Sequence, residues 1–353
     1  MRFSSLVAAE NLSIFDPVSP PGESIRSLAF FVLAVTGVIF LLVEGILLYS
    51  IYRFRHGPPK GGSEPPQVYG SQPIEIAWTS APALIVFVLI LVITRTIWEV
   101  RVDPHNPPKD SKPLRVTVIG HQWWWEYIYD SYDGKKLGFI TANELRVPAS
   151  KVSKGDQRRP VYLTLQSADV CHSFWVPRLG GKMDLIPGRT NTLWFETGQT
   201  GLYLGQCAEF CGAQHAKMLL RVYVDPPEVF ERWLKDQEKP AVDDPKVAKG
   251  KQAFFNQTCV NCHRVRFPGS TAVGTYAPDL THLKSRDTLA SGMILNTREN
   301  LRDWIADPQE IKPGCLMPAF GLSAKGLEYP MDKGLKEPLS DVDLIVDYLS
   351  TLR

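Results

Sequence analysis

Six cysteines stand in the 353-residue sequence, and four of them fall in patterns that carry chemistry. The stretch Gln206-Cys207-Ala208-Glu209-Phe210-Cys211-Gly212-Ala213-Gln214-His215-Ala216-Lys217-Met218 gathers two thiols, an imidazole and a thioether, and His172 supplies a second imidazole upstream. Soft sulfur with imidazole selects copper or zinc over magnesium or calcium, and a thioether favours copper. Two cysteines four apart on a loop can place both sulfurs between the same two ions, letting one electron be shared by the pair. In a dinuclear copper centre of that kind His172 stands on one side and His215 on the other. Met218 and the Glu209 backbone carbonyl are then the weak ligands. A Cys207–Cys211 disulfide beside a core histidine is a competing reading, as is a mononuclear zinc or blue-copper site. Cys171 alternates with His172 along a strand expected to end there, so it is read as a buried small hydrophobe pointing away.

The second pattern is Cys259-Val260-Asn261-Cys262-His263. Two thiols three apart add to the vinyl groups of a porphyrin, and the adjacent histidine reaches its iron, so the run reads as a covalent haem c attachment. The distal ligand must come from later in the chain. Met317 fits best, in the proline-bounded loop Lys312-Pro313-Gly314-Cys315-Leu316-Met317-Pro318, ahead of Met293 and Met331. Pro278 can offer its carbonyl to the His263 ring N–H, which would raise the basicity of that ligand. His282 reads as a loop residue. Cys315 reads as free, with a bridge to Cys171 a remote alternative.

These sites need elements to carry them, and the apolar residues are unevenly spread. Ser27 to Tyr52 is an apolar run broken only by Glu44, and Ile76 to Thr94 is uncharged, with Arg95 and Trp98 at its edge. Each is long enough for a helix across a hydrocarbon core of about 30 Å, giving spans at about 27–52 and 76–98. Pro82 is placed in the first turns of the second span, where its missing N–H does least harm. Arg53, Arg55 and Lys60 against Glu64 mark the connecting loop as cytoplasmic, so both ends of the hairpin and all that follows face outward. The first 25 residues, with Glu10 and Asp16, do not form a signal-peptide pattern, and the first span is expected to be retained.

Beyond a Pro-, Asp- and Lys-rich linker at Asp103 to Pro113, short β-branched and aromatic segments alternate with turns. Leu114–Ile119, Tyr127–Tyr129, Val161–Gln166, Thr190–Glu196 and Leu219–Val224 are predicted strands of a sandwich or barrel. A short helix at 226–235 leads into a polar linker, and helices are predicted at Val247–Phe255, from Leu301–Ile305, and at Asp341–Leu352. The chain thus divides into a hairpin region (1–100), a β domain (101–235), a linker (236–244) and a helical haem domain (245–353). A net charge of +2, with basic and acidic residues mixed along the chain, argues against a nucleic-acid partner.

The whole pattern resembles subunit II of the haem–copper oxidases fused to a cytochrome c domain, as in the caa-type enzymes, with the two-copper centre called CuA. The resemblance rests on Glu75-Ile76-Ala77-Trp78-Thr79, on Gly120-His121-Gln122-Trp123-Trp124-Trp125-Glu126-Tyr127, on Ala142-Asn143-Glu144-Leu145 and on Asp169-Val170-Cys171-His172-Ser173-Phe174-Trp175. Gly181-Lys182-Met183-Asp184, Ile186-Pro187-Gly188-Arg189 and the Cys207–Met218 stretch complete it. It implies a membrane hairpin, an all-β cupredoxin barrel and an all-α class I cytochrome c domain in a bacterial cell membrane. It further implies that Trp123 is the tryptophan through which electrons reach copper, with Trp124 the weaker candidate, and that Asp169 orients a ligand or lies on the electron route. The Glu209 side chain is expected to contribute to a magnesium or manganese ion at the interface with the catalytic subunit, and Glu75 to lie near the mouth of a proton channel. Glu44 is read as a neutral acid hydrogen-bonded to that subunit.

The implied function is electron input to a terminal oxidase. An external donor, such as a cytochrome c or small copper protein, reduces haem c, CuA follows, and the catalytic subunit I, with subunit III as a further partner, reduces dioxygen and translocates protons. A nitric oxide reductase with the same accessory subunit is the alternative. A nitrous oxide reductase needs a histidine-rich domain that seven histidines do not provide. A quinol oxidase subunit lacks the thiols. A free-standing carrier leaves the two spans, Glu209 and Glu75 unexplained.

Overall fold

The computed structural model describes residues 12–55, 67, 69–101, 107–150, 158–257, 259–267, 270–320 and 340–353. Glu10, Lys60, Glu64, Met331 and the start of the Asp103–Pro113 linker, named above, lie outside the described residues. Two units are distinct, one formed by Glu23–Val102 and the other by Met1–Gly22 with Asp103–Arg353.

The first unit holds helices α1 (Pro20–Phe54) and α2 (Gln72–Val100), each with an apolar window of mean hydropathy 2.6. Both are longer than the spans predicted. Paired prolines and Glu23 open α1 and Arg53 closes it, in accord with the helix dipole. Because α2 already begins at Gln72, Pro82 lies inside the helix rather than in its first turns. The bond that its missing N–H would give the Trp78 carbonyl is absent, a defect that spanning helices tolerate when neighbouring groups satisfy the carbonyl.

The second unit begins with a β domain of two five-stranded sheets. One orders β3 (Lys135–Ala142), β2 (Trp124–Tyr132), β1 (Leu114–His121), β5 (Val161–Ser167) and β8 (Asn191–Phe195). The other orders β4 (Glu144–Pro148), β10 (Leu219–Asp225), β9 (Gly201–Cys207), β6 (His172–Trp175) and β7 (Met183–Leu185). Strict alternation along β1 buries Leu114, Val116 and Val118, which face Trp125, Tyr127, Tyr129, Leu163, Phe174 and Val222 in one core. Before α1, Val18 N donates to the Arg178 carbonyl at 2.9 Å and Asp16 pairs with Arg178 at 2.8 Å, so the N-terminal segment lies on the barrel.

Helix α3 (Pro227–Gln237) leads out of the barrel. The segment predicted as a polar linker is anchored. Ala241 is buried and its N–H donates to the Arg266 carbonyl, while His282 Nε2 lies 2.9 Å from the Lys239 carbonyl. The cytochrome domain then runs α4 (Ala248–Asn256), α5 (Cys259–Cys262), the ribbon β11 (Arg264–Phe267) with β12 (Ser270–Val273), and the short pair β13 (Thr288–Leu289) with β14 (Ile294–Leu295). Helices α6 (Arg298–Ala306), α7 (Pro308–Ile311) and α8 (Ser340–Leu349) complete it. Thr297 caps α6 by accepting from Asn300 N, which starts that helix earlier than its apolar residues indicate. Helices α4 and α8 cross at Gly250, where a Cβ would stand 2.0 Å from the Leu344 carbonyl. Phe254 packs on Tyr348 beside that crossing, at 5.5 Å between ring centroids.

The barrel and the cytochrome domain are joined by buried polar contacts. Glu144, 3% exposed, accepts from Asp287 N at 3.0 Å, Thr288 N at 2.8 Å and Thr288 Oγ1 at 2.6 Å. Burial raises its pKa against these bonds. Arg221 Nη2 donates to the Gly292 carbonyl at 2.7 Å. Replacing Glu144 with Ala strands those donors and is expected to cost about 2–3 kcal/mol. Amide hydrogen exchange at 287 and 288 is the check, since protection there should fall while that of the β1–β5 ladder holds.

Candidate metal centres

The donors of the Cys207–Met218 stretch converge because the β9–β10 hairpin closes beneath them. Leu219 pairs with Gln206 in the ladder, and Cys207 N donates to the Met218 carbonyl at 3.0 Å. The intervening loop must therefore fold back over the end of the barrel, with a 3-10 turn at His215–Lys217. From the neighbouring strand, Phe174 pairs with Cys207 and Ala208 N donates to the Ser173 carbonyl, which brings His172 alongside. His172 opens β6 rather than ending a strand. A Cβ on Gly120 would sit 2.8 Å from its ring, so β1 needs glycine where it passes under the imidazole.

The resulting cluster is buried and rich in sulfur. His172 Nδ1 lies 3.9 Å from Cys207 Sγ, the two Sγ atoms are 3.8 Å apart, and Cys211 Sγ lies 3.6 Å from His215 Nδ1 and 3.8 Å from Met218 Sδ. The Glu209 carbonyl is 3.2 Å from Cys207 Sγ. His172, Cys207 and Cys211 present ligand atoms within 4.8 Å of one another, and His215 sits on the far side of Cys211. The sulfurs are too far apart for a disulfide, whose S–S length is about 2.05 Å. A hydrogen bond from Cys211 holds the Cys207 thiol well below its usual range, with His172 in support, and the same bond holds Cys211 up. A soft, enclosed donor set with an imidazole at each end fits a copper pair.

Asp169 is hydrogen-bonded to this set. Its Oδ1 lies 2.8 Å from His172 Nε2 and its Oδ2 accepts from Gln122 N at 2.6 Å. Burial opposes its ionisation, but the bonds from His172, Gln122 and Val170 outweigh it and lower the Asp169 pKa. Burial likewise works against a charged His172, and the Asp169 bond reverses the balance upward. The carboxylate thereby leaves Nδ1 aimed at Cys207, an outer-shell partner of the kind metal-binding histidines keep. Trp123 is half-buried, and its Nε1 donates to the Cys211 carbonyl at 2.9 Å. Gly212, at φ +113°, leaves the room that ring occupies. Of its neighbours, Trp125 is core, edge-on to His172 at 6.0 Å, and Trp124 stacks on His121. Cys171 is exposed, contrary to expectation. The segment before β6 is a bend rather than strand, so no pleat turns its side chain inward.

In the cytochrome domain, Cys259, Cys262 and His263 follow one another at α5, and His263 Nδ1 lies 2.8 Å from the Pro278 carbonyl. Burial lowers the His263 pKa, which keeps the imidazole neutral and its Nε2 available. Cys259, Val260, Ile294, Met317 and Phe320 are partly buried against the domain core, a half-covered apolar wall of the sort a porphyrin completes. A Cβ on Gly274 would lie 2.3 Å from the Cys262 carbonyl carbon, so the chain passes close behind the attachment site. Met293 closes a turn onto Leu289, and Cys315 is free and half-buried. Glu75 lies in the first turn of α2, where its Oε1 accepts from Ser71 N at 3.2 Å.

A two-helix hairpin, a cupredoxin barrel with a buried copper-type donor cluster and a c-type cytochrome define the class: a membrane-anchored electron-transfer protein. The sequence matches the family descriptions "Cytochrome C oxidase subunit II, transmembrane domain" over residues 8–94, "Cytochrome C oxidase subunit II, periplasmic domain" over 114–224 and "Cytochrome c" over 247–353. It is 32% identical to cytochrome c oxidase subunit 2 of Alkalihalophilus pseudofirmus, across 88% of this chain and 86% of that one. It is 35% identical to the same subunit of Bacillus sp., across 74% and 72%. Among solved structures, the periplasmic domain of subunit II of cytochrome oxidase from Bradyrhizobium japonicum is 31% identical, covering 37% of this chain and 96% of that one, with a TM-score of 0.31. The chain belongs to the cytochrome c oxidase subunit II family, in a form that carries a cytochrome c domain. Its role is electron transfer within a haem–copper oxidase complex, and its domains imply CuA copper and haem c.

Cys207→Ser and Cys211→Ser are each expected to abolish the copper pair, read as loss of bound copper and of its electron paramagnetic resonance signal. Met218→Leu should keep the copper and alter that signal.

Proposed function

We propose that this chain is the electron-input subunit of a terminal oxidase in a bacterial cell membrane. It accepts electrons from an external cytochrome c or small copper protein and hands them to subunit I, beside subunit III, where dioxygen becomes water and protons move outward. When bound, haem c and the copper pair supply reversible one-electron chemistry. Cys259, Cys262, His263 and Met317 would hold the first, and His172, Cys207, Cys211, His215, Met218 and the Glu209 carbonyl the second. Asp169 sets the tautomer of His172, and Pro278 does the same for His263. The Glu209 side chain, a hard carboxylate, is assigned to magnesium or manganese at the subunit I interface. Glu75 is assigned to proton uptake at the cytoplasmic end of α2.

One observation supports haem c as the neighbour from which the copper site is reduced. Trp123, bonded through its ring to the Cys211 carbonyl, offers its own carbonyl to Ser291 and Lys312 of the cytochrome domain. The tryptophan beside the thiols therefore faces the attached cytochrome, which supports haem c as the immediate source of electrons.

Gas uptake by the complex, purified in mild detergent and supplied with ascorbate and a mediator, tests the proposal. Fast, cyanide-sensitive dioxygen uptake with little nitric oxide turnover is expected, and the reverse would move the chain into nitric oxide reduction. Met317→Ala should shift the haem potential and block uptake with the copper signal intact. A haem left low-spin at an unmoved potential would overturn that ligand. Glu75→Gln should slow proton uptake with both spectra unchanged, and unaltered turnover would remove Glu75 from the proton path.

A further inference from the structure

The cytochrome domain meets Trp123 through a group that neither metal centre requires. Lys312 is 3% exposed. Its Nζ donates to the Trp123 carbonyl at 2.6 Å and to Ser291 Oγ at 3.1 Å. Ser291, itself buried, donates to the same carbonyl at 2.7 Å. An ammonium among neutral acceptors is costly to bury unless those acceptors are fixed in place. Burial accordingly brings the Lys312 pKa down to about 7.

The residues flanking Lys312 extend the contact. Lys217 Nζ donates to the Ile311 carbonyl at 3.0 Å, and Gln214 Nε2 donates to the Pro313 carbonyl. Gln214 and Lys217 bracket His215 in the copper-side loop. At the other end of the same short segment, Met317 packs on the cytochrome core. Residues 311–317 thus touch the copper-side loop where they begin and reach the haem-side cluster where they end. Trp123 lies between, bonded to Lys312 by its carbonyl and to the Cys211 carbonyl by its ring.

We propose that Lys312 is a positioning residue that clamps the loop before Met317 onto Trp123, holding the haem-side and copper-side clusters in one fixed register. The proposal rests on reading those clusters as haem c and copper sites. The transfer it serves moves one electron out of ferrous haem iron and into the oxidised copper pair. Ferric haem and a copper pair reduced by one electron result, with no bond made or broken. A clamp removes the cost of finding that geometry anew at each turnover.

The test is made in the purified complex. Lys312→Met keeps the apolar stem and removes the donors. One electron is delivered to haem c photochemically, and haem oxidation and copper reduction are followed optically. Transfer from haem to copper should slow about tenfold, the scale of losing one or two buried hydrogen bonds. The copper resonance and haem spectrum should stay unaltered, and hydrogen exchange at 288–292 should quicken. Ser291→Ala should slow transfer less, and it is the variant read should Lys312→Met fail to assemble. An unchanged transfer rate in whichever variant assembles overturns the clamp. If the unmodified complex passes no electron from haem c to copper, the functional proposal fails instead.

Discussion

The hydrogen bond from Cys207 N to the Met218 carbonyl closes the loop on which the copper-side chemistry depends. It ends the β9–β10 ladder and obliges the residues between to return within the width of one hairpin. Both sulfurs, the His215 imidazole and the Met218 thioether are therefore gathered by backbone geometry before any metal contributes. The opposite wall comes from β6, which delivers His172 through its pairing with β9. A site built on ladder ends is held more tightly than one on free loops. Asp169 and Gly120 complete it, one by fixing the ring's orientation and the other by making room beneath it.

Much of this arrangement is legible in the sequence because it depends on local spacing. The Cys207–Met218 stretch and the Cys259–His263 motif carry their ligands within a few residues, and the spans declare themselves by composition. β1, β5, β8 and β10 show through their alternation or β-branched runs. β3, β4, β7 and β9 do not, since glycines, charges and short length blur the pattern in strands such as Lys135–Ala142 and Gly201–Cys207. Cys171 departs from its expected burial for a related reason, because a bend precedes the strand and alternation does not extend across it.

The contacts between the domains were not legible at all. Glu144 is buried in a strand beside Leu145 and Val147, and only its distant partners at 287 and 288 explain a buried carboxylate there. Lys312 occupies a Lys-Pro-Gly turn that in isolation describes an exposed loop. Ser291 and Asn143 are likewise ordinary turn residues until the two surfaces meet. Side-chain partners so distant in the chain leave no periodic trace. The best available signal was indirect, namely that Ala142-Asn143-Glu144-Leu145 belongs to the family pattern without holding any ligand.

These buried contacts change how the fusion works. A tethered domain on a flexible linker gains only a raised effective concentration and must still search for its docking pose. Here the connecting segment is itself held, at Lys239 by His282 and at Ala241 by Arg266. Glu144, Arg221 and Trp123 then fix the pose from the barrel side. Paired buried polar groups suit that task better than an apolar face, since their geometry admits one register where a greasy surface admits several. The cytochrome domain is in this sense less a captured mobile carrier than a further wall of the copper-bearing barrel. What distinguishes it from the barrel's own loops is that it brings a second redox site with it.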